Sequence, residues 1–341
     1  MLGDRPDWTL NLHAGTLNLD NLLSRGAAAS NNGVNQQGQS QTRQLRPVIA
    51  DNDFQRDYSS LRGFNARMTL AADQLQWRGM NFTQVKSDIS NQQGLLTISQ
   101  MQGNLDGGQL SLPGSLDARG ETPHASFKPQ LDNVEIGSIL QAFDYSINLT
   151  GKLSLTGEFS GDKIDADEFR RSWQGQAQIQ MKDTRTEGLN FQQLVQQAVE
   201  RSTNVQAQEN YDNATRLDDV STELQLNNGL VTLKGLQGQS ELMALTGQGE
   251  LNLLKEECDM RFNVRVLGGW KGESKLIDRL KQTAIPLRIY GNWQTLSYSL
   301  QVDQILRKQL QDEAKKRLNE WVERNKDTQD GKDVKKLLDK L

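Results

Sequence analysis

The chain alternates apolar and polar residues over many short segments, with a period of two. This period places apolar side chains on one face of a β-strand and polar side chains on the other. The alternation is clearest in four segments, residues 64–70, 262–266, 287–289 and 298–302. The pattern therefore predicts a mostly β protein whose strands each have one apolar and one polar face.

Two segments of the chain repeat the same pattern at an offset of 135 residues. Residues 82–117 align with residues 217–252 without a gap. Gln93-Gly94 in the first segment matches Asn228-Gly229 in the second, and both pairs are typical of tight hairpin turns because glycine tolerates positive φ. The alignment predicts a sheet built from repeated units.

Short apolar sets with helical spacing follow three predicted strands, within residues 17–23, 134–140 and 189–195. They predict short helices that fold back over the sheet. Residues 191–201, 274–283 and 303–326 are predicted as fuller helices. The last has an apolar stripe that we expect to dock on its own domain, with a membrane surface or a partner helix as the alternative. The stripe consists of Leu306, Leu310, Ala314, Leu318 and Trp321.

These patterns divide the chain into four parts. Residues 1–23 are predicted as an N-terminal strand pair, formed by residues 8–12 and 16–19. Residues 24–58 are rich in Gln, Asn, Ser and Gly and are predicted as a flexible polar loop. Residues 59–302 are predicted as a repeat-built β-groove domain with short capping helices, and residues 303–341 as a C-terminal amphipathic helix and tail.

Composition and charge exclude several classes of function. The formal net charge of −4 is spread along the chain, which argues against nucleic-acid binding. No apolar run reaches the roughly 18 residues that a membrane-spanning helix needs. With Cys258 as the one cysteine and His13 and His124 as the two histidines, the sequence predicts no metal site and no cofactor.

The common catalytic motifs are also absent from the sequence. It has no GxSxG nucleophile elbow, no phosphate-binding P-loop, no HExxH zinc motif and no dinucleotide-binding glycine fingerprint after a strand. We therefore predict a non-enzymatic protein with no catalytic residues. Amphipathic strands make a surface instead, either closed against a second sheet or open as an apolar trough, and the period alone does not separate these two.

Four short strings resemble the C-terminal conserved region of the AsmA family. They are DGGQLSLPGSLD at 106–117, GKLSLTGEFSG at 151–161, EGLNF at 187–191 and IPLRIYGN at 285–292. The resemblance implies a curled antiparallel sheet with a hydrophobic groove and a C-terminal helix. It also implies phospholipid binding and transport between the inner and outer membranes of a Gram-negative periplasm, in support of outer-membrane homeostasis. Family members have an N-terminal inner-membrane anchor, which we expect to be missing from this truncated chain.

The residues that share the period-two phase are the candidates for lining this groove and contacting phospholipid acyl chains. They are Leu96, Ile98, Leu110, Leu112, Leu226, Val231, Leu233, Leu253, Val264, Leu287 and Ile289. The alternative is a β scaffold that binds envelope proteins and assists outer-membrane protein assembly. A carbohydrate-active protein is a third interpretation, but the scattered tryptophans form no obvious platform for sugars.

Overall fold

The structure, a computed structural model, describes residues 5–22, 24 and 58–338 of the chain. The polar loop predicted at 24–58 lies outside the described residues except at its two ends. The described part is mostly β, with helices concentrated toward the C-terminus, as the alternating pattern predicted. The division into four parts stays a prediction.

All sixteen described strands belong to one sheet. The strands are β1 Asp7–Asn18, β2 Asn65–Trp77, β3 Met80–Gln92, β4 Leu95–Leu105, β5 Gly108–Ser111, β6 Gly114–Asp117, β7 His124–Phe127, β8 Gln130–Glu135, β9 Leu149–Gly161, β10 Gln174–Glu187, β11 Ala214–Asn227, β12 Leu230–Gln239, β13 Met243–Asn252, β14 Glu257–Val266, β15 Ile285–Asn292 and β16 Thr295–Leu300. Their spatial order is β1-β2-β3-β4-β5-β8-β9-β10-β11-β12-β13-β14-β15-β16, and β6 and β7 fill in between β4 and β9.

Strand β1 differs from the prediction in two ways. The segment predicted as a strand pair is one continuous strand, because Gly15 stays extended and the ladder to β2 runs in register on both sides of it. The β1–β2 pairing is also parallel, whereas the other pairings are antiparallel as predicted. Parallel neighbours need a long crossover connection, and residues 19–64 lie between these two strands.

The internal repeat corresponds to the same three-strand unit in both places. Strands β3 and β4 match β11 and β12 at the offset of the alignment, and β5 with β6 matches the single strand β13. Pro113 interrupts the first copy between β5 and β6, since proline has no N–H for the ladder. The two predicted hairpin turns are confirmed, because Gly94 has a φ of 99° and Gly229 a φ of 83°.

Residues 19–22 are helical, within the segment predicted as a short helix. Six further α-helices have described bounds, together with a 3-10 helix at Tyr58–Gly63. They are α1 Ile136–Ala142, α2 Ala166–Arg171, α3 Phe191–Ser202, α4 Lys275–Gln282, α5 Val302–Arg324 and α6 Gln329–Leu338. Helices α3, α4 and α5 confirm the three fuller helices predicted. The side chains of Asn190 and Ser274 cap the N-termini of α3 and α4 by accepting hydrogen bonds from backbone N–H groups in the first turn. Helices α2 and α6 were not predicted.

The apolar stripe of α5 docks over only part of its length. Leu306 near its start is 3% exposed, whereas Leu318 and Trp321 are each 39% exposed. Ala314 is exposed as well, and the side chain of Leu310 is outside the described part. The first turns of α5 therefore belong to the core, and the rest of the helix extends away from the sheet with α6 packed against it.

Candidate functional site

One face of the sheet is apolar from its first strand to its last. Residues that pair directly across neighbouring strands point to the same face, so the register can be followed from β1 to β16. We call the row that starts at Leu10 the apolar row, and each of its members is an apolar residue, a cysteine or a glycine. The row is Leu10, Met68, Ile89, Ile98, Gly114, Phe127, Phe159, Gly175, Leu226, Val231, Leu251, Cys258, Gly291 and Leu296.

The opposite face is polar along the same path. The neighbouring row starts one residue earlier, at Thr9, and thirteen of its fourteen members are polar or charged, Leu230 being the exception. It is Thr9, Arg67, Ser90, Thr97, Ser115, Ser126, Ser160, Gln174, Asn227, Leu230, Asn252, Glu257, Asn292 and Thr295. The sheet therefore separates an apolar face from a solvated one over its whole width.

The apolar face is covered to different extents along the sheet. At the C-terminal end, helices α3, α4 and α5 pack Val195, Ile277 and Leu306 against strands β14 and β15 in one buried cluster. At the other end, Trp8 is 62% exposed and Leu10 is 47% exposed. Because all the described strands lie in one sheet, none of them forms a second sheet that closes over this face. The described strands therefore do not form a sandwich of two separate sheets.

The eleven candidate lining residues fall into two groups. Nine lie in strands on the face of the apolar row, and Leu112 and Leu253 directly follow strands β5 and β13. The half-buried group is Leu96, Ile98, Leu112, Leu233 and Leu253. The buried group is Leu110, Leu226, Val231, Val264, Leu287 and Ile289. Val264, Leu287 and Ile289 share one cluster with the covering helices, so the half-buried group offers the more accessible apolar surface. Contact of any of the eleven with a lipid stays a prediction.

A glycine under an aromatic ring marks the middle of the apolar row. A Cβ at Gly175 would lie 2.3 Å from Cδ1 of Phe159 and 2.4 Å from the carbonyl oxygen of Glu158. Phe159 in turn stacks on Phe127, with ring centroids 5.7 Å apart. The missing side chain lets the ring lie flat on the neighbouring strand and favours tight curvature at this point.

The segment that follows α1, residues 143–148, bridges distant parts of the sheet, and we call it the strap. The Phe143 ring contacts the Trp77 ring at the β2–β3 turn, at 5.9 Å between centroids. Three residues later, the Ser146 hydroxyl lies 2.5 Å from the Glu256 carboxylate at the β13–β14 turn. Those two turns are eight or more strands apart and at opposite ends of the strands, so they would lie more than about 38 Å apart in a flat sheet.

The strap therefore shows that the sheet is curled. Three residues of backbone span at most about 11 Å, far less than the flat distance between the two turns. Helix α1 packs Ile139 and Ala142 against the apolar face of β3, β5 and β8, in a cluster that includes Met80 and Val134. The strap thus begins beside α1, on the apolar side of the sheet. It reaches the β13–β14 turn in a distant part of the curled sheet, which we call the far wall.

Arg170 and the ring of Trp293 contact the strap at Phe143 and Tyr145. Arg170 of α2 donates a hydrogen bond of 2.5 Å to the carbonyl of Phe143, and its guanidinium lies 4.6 Å from the centre of the Tyr145 ring. The centroid of the Tyr145 ring is also 6.0 Å from that of Trp293. Burial raises the pKa of Tyr145, and the charge of Arg170 partly opposes this effect.

Several titratable groups with altered pKa values elsewhere belong to surface ion pairs, among them Asp117, Asp212 and Asp259. The described residues include no cluster of three or more His, Cys, Asp or Glu side chains that could hold a metal ion. The Cys258 thiol is half-buried, and burial together with the nearby Asp259 charge raises its pKa, which disfavours a reactive thiolate. In the part of the chain that the structure covers, no helix is both long and apolar enough to cross a membrane.

The sequence patterns predicted the apolar face but not the strap or helix α2. The strap has no periodic pattern, and α2 is only six residues long. One local feature of the sequence indicates the strap. Phe143 and Tyr145 are two large aromatic residues in a short connection, in a chain with few aromatic residues. Large rings in a loop commonly mark a packed rather than a solvated segment.

Two comparisons with known proteins indicate the same family. The family model described as "AsmA family" matches residues 3–236. A curated relative named "Protein AsmA", from Escherichia coli strain K12, is 58% identical over 342 aligned residues, covering 100% of this chain and 55% of the relative. The chain thus spans about half the length of that relative. No solved structure matches it. The chain belongs to the AsmA family.

Proposed function

We propose that this protein binds the acyl chains of phospholipids on its apolar face and takes part in moving phospholipids between the inner and outer membranes. The observation that carries the proposal is the unbroken apolar row on a single curled sheet, left without a covering sheet in the described residues. The family membership supports a role in the envelope. No catalytic step is required, so the proposed function is non-enzymatic.

The energetics of lipid transfer favour a continuous apolar surface. Burial of a methylene group is worth about 0.8 kcal/mol, so exposing two chains of roughly 15 carbons to water costs on the order of 20 kcal/mol. Fourteen strands at about 4.8 Å spacing give a path of roughly 60 Å. Half-buried leucines and isoleucines such as Leu96, Ile98 and Leu233 provide flexible aliphatic contacts along it.

The polar face fits an aqueous compartment on the outside of the curled sheet. Some of its charged residues pair with each other, as in the bidentate contact of Arg288 with Asp259 at 2.7 and 2.8 Å. We place the protein in the periplasm, anchored to the inner membrane. This placement follows from the family and is part of the proposal.

A second candidate is a scaffold that assists outer-membrane protein assembly. It is supported by strand β1, which pairs with β2 on one side and exposes Trp8, Leu10 and Leu12. An edge strand with exposed apolar side chains is suited to adding a strand from another protein.

Lipid extraction followed by mass spectrometry separates the two candidates. The purified chain should retain phospholipid, and Leu233→Glu on the apolar face should lower the retained amount at least fivefold. Thr232→Glu is the matched control on the polar face and should retain as much as the wild type. If the folded wild-type protein carries no phospholipid after purification and after incubation with vesicles, the lipid proposal is wrong and the scaffold is favoured.

A further inference from the structure

The strap begins at a well-defined helix end. Asp144 has a φ of 56°, the Asp144 N–H donates to the carbonyl of Gln141, and the Tyr145 N–H donates to the carbonyl of Leu140. This pair of bonds, with a left-handed residue after the helix, is the Schellman motif. It ends α1 abruptly and turns the chain away from the helix axis. The direction of the strap is thus set by local geometry.

The strap then joins two walls of the curled sheet. On the α1 side, the Arg78 guanidinium donates to the carbonyl of Ala142 at 3.2 Å and lies 4.9 Å from the centre of the Phe143 ring. On the far side, Ser146 meets Glu256 and Tyr145 meets Trp293. Trp293 lies in the β15–β16 turn and Glu256 in the β13–β14 turn. The backbone N–H of Trp293 donates to the carbonyl of Glu256, so both turns belong to the far wall. The strap therefore joins two parts of the curled sheet that are far apart in the order of the strands.

The contacts to the far wall are few and are made by side chains. The Ser146 hydroxyl bonds to the Glu256 carboxylate, and Arg170 donates a hydrogen bond to the carbonyl of Phe143. The Tyr145 ring contacts Arg170 and Trp293. The backbone of the strap bonds back to α1 at its start, and Asn148 at its end accepts from the Glu187 N–H of β10. Release of the far-wall contacts would thus leave both ends of the strap anchored. The middle of the strap can then move while both of its ends stay fixed.

We propose that the strap is a lid over the apolar face and that its opening limits the exchange of bound lipid. The inference rests on the proposed function and adds a mechanism to it. When the strap is closed, Tyr145, Ser146 and Glu256 bridge the two walls and keep an acyl chain from leaving sideways. When it is open, the same chain can enter or leave across the gap between the walls.

A reversible cross-link tests the lid directly. Ser146→Cys and Glu256→Cys are combined in a Cys258→Ser background, and the protein is loaded with NBD-labelled phosphatidylethanolamine. The strap is then closed with a short bis-methanethiosulfonate reagent. Release to phosphatidylcholine vesicles is followed by fluorescence, before and after reduction. We expect at least tenfold slower release from the cross-linked protein and recovery on reduction. A matched cross-link at Glu209→Cys and Lys271→Cys, an ion pair of 2.5 Å away from the strap, should change release less than twofold.

Two variants without cross-links cover the case in which the cysteine pair disturbs folding. Arg170→Gln combined with Ser146→Ala should release the lipid at least threefold faster than the wild type. Arg171→Gln, on the exposed side of α2, is the control and should match the wild type. Equal release by open, closed and wild-type proteins that all capture lipid overturns the lid but leaves the proposed function standing. If none of them captures lipid, both proposals are wrong.

Discussion

Gln93 and Asn228 occupy the same position in two hairpins that lie 135 residues apart, and both have a φ of 50°. Each is followed by a glycine that also has a positive φ, and each turn joins the first two strands of a repeated unit. Two successive positive φ values match the right-handed twist of the flanking strands. The two side chains differ in how well they suit this conformation, because asparagine adopts positive φ more readily than glutamine.

Exchanging these two residues should therefore have opposite effects in the two turns. We expect Gln93→Asn to raise the free energy of unfolding by about 0.5 kcal/mol and Asn228→Gln to lower it by about the same amount. Urea denaturation followed by circular dichroism measures both. Changes of the same sign in the two variants would contradict the equivalence of the turns.

Gly175 should not tolerate a side chain. The Cβ of Gly175→Ala would collide with Phe159 and with the backbone of Glu158, so we expect the free energy of unfolding to fall by about 1–3 kcal/mol. Gly15→Ala in β1 is the matched control, because nothing lies within 4 Å of its added Cβ. If the two variants are equally stable, Phe159 does not lie on Gly175 in solution.

Gln196 is a fully buried polar residue of α3, and its hydrogen bonds should stabilise the packing of this helix. Its amide donates to the carbonyl of Gly268 at 3.0 Å and its oxygen accepts from the Tyr211 hydroxyl at 2.9 Å. Gln196→Ala removes both hydrogen bonds and leaves a cavity at a fully buried position, so the free energy of unfolding should fall by about 1–3 kcal/mol. The exposed neighbour Gln197→Ala should change it by less than about 0.5 kcal/mol. Thermal and urea unfolding of both variants provide the comparison.

Asp212 should make stability depend on pH in the acid range. Hydrogen bonds from Arg185 and Arg216 lower its pKa to about 2. Since a lowered pKa stabilises the folded state only while the carboxylate is charged, the contribution is present at neutral pH and is lost as pH falls from about 5 toward 2. Asp212→Asn should unfold at a lower urea concentration than the wild type at pH 7, and the difference should shrink by pH 3. A difference that does not change with pH would contradict this assignment.

The alternating pattern predicted much of this fold because it reports directly on which face of a strand is buried. The turn glycines at positions 94 and 229, and the capping residues Asn190 and Ser274, are likewise local signals. The parallel pairing of β1 was not predictable in this way, since it depends on a partner some 58 residues along the chain. The coverage of Val264 by helices is also a tertiary property.

The candidate site was predictable in the same limited sense. Period-two phase selected residues of one face, but it carries no information on which of them a helix covers. Ile98 and Val264 have the same pattern in the sequence, yet Ile98 is half-buried and Val264 is fully buried. The strap, in which Tyr145 and Ser146 contact Trp293 and Glu256, has no periodic pattern in the sequence.

Lipid photo-crosslinking from the two faces of the sheet tests the central claim most directly. A photoreactive residue is placed at Ile98 or Leu233 on the apolar face, and at Thr97 or Thr232 as the adjacent polar-face controls, with Val264 as a buried control. After incubation with phospholipid vesicles and irradiation, we predict lipid adducts at Ile98 and Leu233, at least tenfold more than at Thr97, Thr232 or Val264. Equal adducts on both faces, or none on the apolar face of a folded protein, would contradict the account.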